Sequence, residues 1–143
     1  MKAYYFRVFE ERFAFLPNPS GKVIDFTERL VAADALIIVT PVYNASFPAA
    51  LKNVIDLYLQ EWRRQPVAVV SVTSGKVPGI ATVQQLQALL LKLGALVVPM
   101  LCTVISAGET FDEKGTAASP AATEKLLRPM IDELLWLTGK TDE

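Results

Sequence analysis

The chain has no histidine, one cysteine, seven glycines and only 20% charged residues among its 143 positions. Without histidine there is no Ser-His-Asp triad, no imidazole acid or base and no histidine-ligated metal. With Cys102 alone there can be no intrachain disulfide and no four-cysteine zinc site. Cys102 sits in an apolar run, residues 97–105, where a thiol reads as a small core residue rather than a nucleophile. Sparse cysteine points to a reducing, cytoplasmic setting. A net charge of −1 gives no electrostatic footprint for nucleic acid or an anionic membrane. The first fifteen residues carry Arg7, Glu10, Glu11 and Arg12, which interrupt any signal-peptide core. No apolar run approaches the ~20 residues of a membrane span.

What is abundant is apolar side chain: 52%, against a usual ~45–50%. Residues 3–9 are aromatic and β-branched and predict a strand. A Pro/Asn/Ser/Gly loop follows at 17–21, and Asp25 with Glu28 has the spacing of a capping box opening a helix to Ala33. Residues 35–40 are continuously apolar rather than alternating, the pattern of a central parallel strand covered on both faces. Ser46 is a candidate N-cap. Leu51, Val54, Ile55, Tyr58 and Trp62 then recur at helical spacing. Trp62 is a candidate for an oligomer interface, with core packing the commoner role of such a residue. A second apolar strand occupies 67–72. Val83, Leu86, Leu90 and Leu93 mark another helix, closed by Gly94. A strand from Leu96 to Met100, extending toward Ile105, comes next. The last helix runs from Ser119-Pro120 to about Leu137, interrupted by Pro129 and stopped by Gly139.

Strands alternating with helices imply an α/β chain: a parallel sheet with helices on both faces, residues 1–143 forming one domain. Ligands of such sheets sit beyond the carboxyl ends of the strands, which singles out three loops, 41–47, 73–79 and 106–115. The first offers an aromatic ring, an amide, a hydroxyl and backbone N–H groups, but no acid or base. The second has two glycines ahead of a helix, which lets the backbone approach a ligand. Its spacing matches neither the P-loop nor the dinucleotide fingerprint, and Lys76 could face an anion or solvent. In the third, Glu109, Asp112 and Glu113 read as a solvated charge run. Arg63-Arg64 lies at the amino end of its strand, the wrong end for a ligand.

The stretch from Ala33 to Asp56, ADALIIVTPVYNASFPAALKNVID, resembles the signature of NADPH-dependent FMN reductases, which have a flavodoxin-like three-layer fold. Later segments at 66–79, 84–86 and 107–115 resemble it in order and spacing. The resemblance implies non-covalent FMN, hydride transfer from NAD(P)H to the flavin, and onward transfer to a small acceptor such as a quinone. It also implies a homodimer or homotetramer. By position, Pro41, Val42, Tyr43 and Asn44 would contact the ribityl and ring, and Thr73, Ser74 and Gly75 the ring's other edge. The pattern departs in two places. Val42 stands where the family usually has Glu. The family's opening strand, phosphate loop (Gly-Ser-x-Arg-x-x-Ser) and helix have no counterpart, since Gly21 is the only glycine before Gly75. The expected sheet therefore lacks a first βα unit and holds FMN weakly. The alternative from another class is a flavin-free interaction or scaffold domain working through its apolar surface.

Overall fold

The computed structural model describes residues 6–141. Its centre is β2 (Pro66–Val72), six of whose seven residues are buried. β1 (Leu36–Pro41) pairs with β2 in parallel along its whole length, from Leu36 opposite Val67 to Pro41 opposite Val72. On the other side of β2, two short strands pair in parallel one after the other: β3 (Leu96–Val97) and β4 (Cys102–Val104). The single strand expected over 96–105 is thus two, broken at residues 98–101.

Alternation along β2 divides the core in two. Val67 and Val69 face α1 (Gly21–Ala32), α2 (Ala49–Leu57) and α3 (Ile80–Lys92), packing with Leu30, Ile55, Leu86 and Leu90. Ala68 and Val70 face α5 (Pro120–Thr141), packing with Cys102, Val104, Met130 and Leu134. This is the expected α/β/α sandwich, with three helices on one face and α5 on the other.

The expectation of double-faced burial fails at β1. Leu36 and Ile38 pack inward, whereas Ile37 and Val39 are 48% and 64% exposed. These two lie across from Ala68 and Val70, so they belong to the α5 face. α5 packs mainly over β2 and β4, and among the described residues this face of β1 is largely open. Among the described residues β1 also has no strand on its outer edge. An apolar run records what a strand can bury, not what covers it.

The predicted strand at 3–9 lies partly outside the described residues, and residues 6–9 form no strand. They are held by α2: Asn53 Nδ2 donates to the Arg7 carbonyl (2.9 Å), and the Phe9 N–H donates to Asn53 Oδ1 (2.5 Å). α1 begins at Gly21, not Asp25, with Ser20 as the extended cap residue. Val23, Phe26 and Leu30 set the inward face from the first turn. Asp25 is an interior residue paired with Arg29 four positions on. α2 stops at Leu57 because Tyr58 turns extended. Its hydroxyl lies 3.1 Å from Thr27 Oγ1. Trp62 follows in a 3-10 turn, 3% exposed, with Nε1 donating to the Ile55 carbonyl at the frayed end of α2. It is core. α3 closes as its sequence predicts. Gly94, at φ +87°, donates to the Leu91 carbonyl and Ala95 to that of Leu90, a Schellman motif. α5 continues through both Pro129 and Gly139, so neither breaks it. Met130 and Leu134 fasten it to the sheet on the far side of the proline.

Burial pushes the Tyr58 phenol up from its ordinary value; the Thr27 hydrogen bond opposes this, and the Glu61 carboxylate adds to it. The fold therefore favours the neutral phenol. That stabilisation is complete below about pH 10, the unfolded value, and is lost as pH rises through the higher folded value. Tyr58→Phe should cost about 1 kcal/mol at neutral pH, from the lost hydrogen bond. Its melting temperature should also fall less steeply than the parent's between about pH 9 and pH 11. Parallel alkaline slopes would remove Tyr58 as the cause.

Candidate functional site

Two of the three loops form most of the walls of a cavity of about 580 Å³ beyond the carboxyl ends of β1 and β2, and the third adds Ala107. Of the residues singled out from sequence, Pro41, Val42, Tyr43, Thr73, Ser74 and Gly75 all line it. Asn44 does not. It sits at the tip of a tight hairpin in which Tyr43 and Ser46 exchange backbone hydrogen bonds, at 2.8 and 3.0 Å. Both tip residues have positive φ, Asn44 at 51° and Ala45 at 59°, the backbone of a type I′ turn. Asparagine tolerates that region, whereas alanine is strained there by roughly 1–2 kcal/mol. Ser46 is consequently not the helix cap. Pro48 holds that position, and the Ser46 hydroxyl donates to Gln85 Oε1 at 2.7 Å.

The second loop is fixed by backbone bonds from β4 and from α4 (Ala107–Thr110). Thr73 donates to the Val104 carbonyl, and Thr73 and Gly75 each accept an N–H, from Ala107 and Ser106 respectively, at 2.9 Å. Thr73 Oγ1 also donates to the Gly75 carbonyl. Gly75 itself borders open space. The glycine that matters sterically is Gly79, which the sequence offered only as one of two glycines letting the backbone approach a ligand. A Cβ there would lie 2.5 Å from Ser71 Oγ and 2.6 Å from Val42 Cγ2. This close approach brings the start of α3 against the end of β2 and forms the cavity floor. Beside it Thr82 borders the cavity, and the buried hydroxyls of Ser71 and Thr82 have no hydrogen-bond partner among the described residues. Nothing in the sequence distinguished Ser71 and Thr82 from core hydroxyls.

Among the described residues no charged side chain lines the cavity. Its walls are mainly apolar, with polarity supplied by Thr73, Ser74 and the first-turn N–H groups of α3, which have no carbonyl within the helix to bond. Tyr43 is 62% exposed at its mouth. Lys76 is exposed and does not line it. In the third loop Glu109, Asp112 and Glu113 are all exposed, the solvated run expected, and Asp112 also anchors a turn. Its carboxylate accepts the N–H groups of Lys114 and Thr116, which hold it below its ordinary value. Burial pushes the Cys102 thiol up, so it is not poised as a nucleophile.

Residues 3–110 match the model of the NADPH-dependent FMN reductases. The chain belongs to that family. Over 59 residues it is 44% identical to a quinone reductase of Pseudomonas putida, covering 38% of this chain and 32% of that protein. Over 71 residues it is 40% identical to the FMN reductase (NADPH) of Escherichia coli, covering 50% of this chain and 36% of that protein. The matches to these curated relatives span about a third of their length. The fold matches a flavoenzyme NAD(P)H:(acceptor) oxidoreductase of Paracoccus denitrificans with a TM-score of 0.70 at 22% identity, covering 87% of this chain and 76% of that one. Family membership does not favour the flavin-free scaffold reading.

Two substitutions test the geometry. Gly79→Ala should cost about 1–3 kcal/mol, because Val42 and Ser71 must move to admit the methyl group. Ala45→Gly should stabilise by about 0.5–1 kcal/mol, relief of the strained φ outweighing glycine's larger unfolded-state entropy. Urea denaturation measures both. A neutral Gly79→Ala would show that the floor yields freely, and a destabilising Ala45→Gly that the turn is unstrained.

Proposed function

We propose that this member of the family binds the ring system of FMN in the cavity between residues 41–47 and 73–79. It would act as an NAD(P)H-dependent reductase passing electrons to a small acceptor such as a quinone. The observation that supports this most is the convergence of Pro41–Tyr43 and Thr73–Gly75 on one uncharged, mainly apolar cavity floored at Gly79. A flat ring fits such a slot: Pro41, Val42 and Tyr43 make one wall, and Thr73, Ser74 and the start of α3 offer hydrogen bonds to a polar edge. When bound, FMN supplies the chemistry, accepting hydride from NAD(P)H and returning it to an acceptor. The protein's part is to position the ring, exclude water with Val42, Val72 and Val77, and leave the mouth open to the exchanging substrate. Among the described residues the lining has no acid or base, which agrees with that division of labour.

The ring end fits; among the described residues none matches the phosphate end. Among the described residues no glycine-rich loop other than 73–79 meets the cavity. Gly21 and Lys22, at the start of α1, belong to a different cavity beside residues 6–11. A dimer or tetramer in the cytoplasm belongs to the same proposal, since Tyr43 and Val77, 62% and 78% exposed at the mouth, are surface a second copy would cover.

Titration of the 143-residue protein with FMN, followed by quenching of flavin fluorescence, tests the reading. Saturable quenching at micromolar concentration is expected, with riboflavin binding within about threefold of FMN because the phosphate meets no dedicated donors. No saturable quenching by either flavin would sink the cofactor assignment. FMN a hundredfold tighter than riboflavin would overturn the reading of the phosphate end.

A further inference from the structure

We infer that Gln85 is a positioning residue that holds the Tyr43 hairpin as a preformed wall of the cavity, a role resting on the proposed flavin site. Gln85 lies on α3, one turn beyond the Gly79–Thr82 floor, and does not line the cavity itself. Its amide grips the hairpin twice: Nε2 donates to the Ala45 carbonyl at 3.0 Å, and Oε1 accepts from the Ser46 hydroxyl at 2.7 Å. A carbonyl can only accept, so the orientation of the amide follows from the chemistry of its partners.

The hairpin needs such a tie. It has two residues at its tip, both at positive φ, and one of them is alanine. Its own closure is the single pair of backbone bonds between Tyr43 and Ser46. Tyr43, the aromatic ring of the site, is 62% exposed, so packing alone does little to fix it. Gln85 links the strained turn to the same helix whose first turn floors the cavity, coupling wall and floor through one side chain. Serine at 46 reads as a cap by sequence. Its place opposite Gln85 gives the hydroxyl a different use.

The test compares Gln85→Ala with Gln84→Ala, an exposed neighbour on α3 that makes neither bond. Amide hydrogen exchange of the flavin-free protein reads the hairpin directly. Exchange at Tyr43 and Ser46 should accelerate about tenfold in Gln85→Ala, the size expected for losing a hydrogen-bond pair, with exchange in β2 unchanged. FMN titration of the same variants should show the Kd raised about tenfold for Gln85→Ala and unmoved for Gln84→Ala. Ser46→Ala should accelerate exchange less, because the bond to the Ala45 carbonyl survives. Adding it to Gln85→Ala should bring no further acceleration. Unchanged exchange at Tyr43 and Ser46 would overturn the inference, and so would equal acceleration across β2. If the parent protein binds no flavin, the proposed function fails on that result, and exchange alone decides the role of Gln85.

Discussion

The parallel pairing of β2 on both of its edges, with burial of both of its faces, is the constraint on which everything else depends. Val67 and Val69 hold three helices on one side, and Ala68 and Val70 hold α5 on the other. A strand so enclosed must direct every backbone N–H and C=O into its neighbours, because no water reaches it. Parallel pairing then brings the carboxyl ends of β1, β2 and β4 to the same side of the sheet, and the loops that leave those ends meet there. The cavity is a consequence of that alignment: Thr73 follows β2 directly and bonds to Val104 at the end of β4.

The two sides of β2 are unequal. Toward β4 the sheet is closed by backbone bonds from residues 106 and 107 back to Thr73 and Gly75. Toward β1 it thins, with Ile37 and Val39 facing outward beyond the reach of α5. The first loop of the site departs from this sparser side. Its geometry is maintained not by the sheet but by a short hairpin with strain at Ala45 and a grip from α3. The close approach at Gly79 serves the same end from below, since it is what lets α3 reach both the floor and the hairpin.

Much of this organisation was legible because its causes are local. The apolar run at 67–72, the 3.6-residue spacing of Val83, Leu86 and Leu90, and Gly94 at the end of α3 all act within a few residues, and all stand where expected. The loops were legible too, since strand-end loops follow from the alternation of elements. Where expectation and structure part, a distant contact decided. Asp25 has cap spacing, but Val23 and Phe26, half-buried on either side of it, already pack within the helix against elements such as Tyr58 far along the chain. Trp62 has helical spacing from Leu51, but Tyr58 leaves the helix to reach Thr27. Pro129 has every local reason to break α5, and Met130 and Leu134 hold the helix to the sheet across it.

By itself, the sequence determined the chemistry that is excluded, the order of elements from α1 to α3, and the two loops that wall most of the cavity. Those follow from side-chain type and from periodicity, properties that survive without a partner in space. Only the tertiary structure decided that Gly79 brings α3 against β2 rather than only admitting a ligand, that Asn44 turns the chain instead of lining the cavity, that Ser46 binds Gln85 instead of capping a helix, and that β1 is covered on one face. Each depends on what lies opposite a residue, and residues such as Ser46 and Gln85, 39 positions apart, become neighbours only when β2 has drawn its flanking elements together.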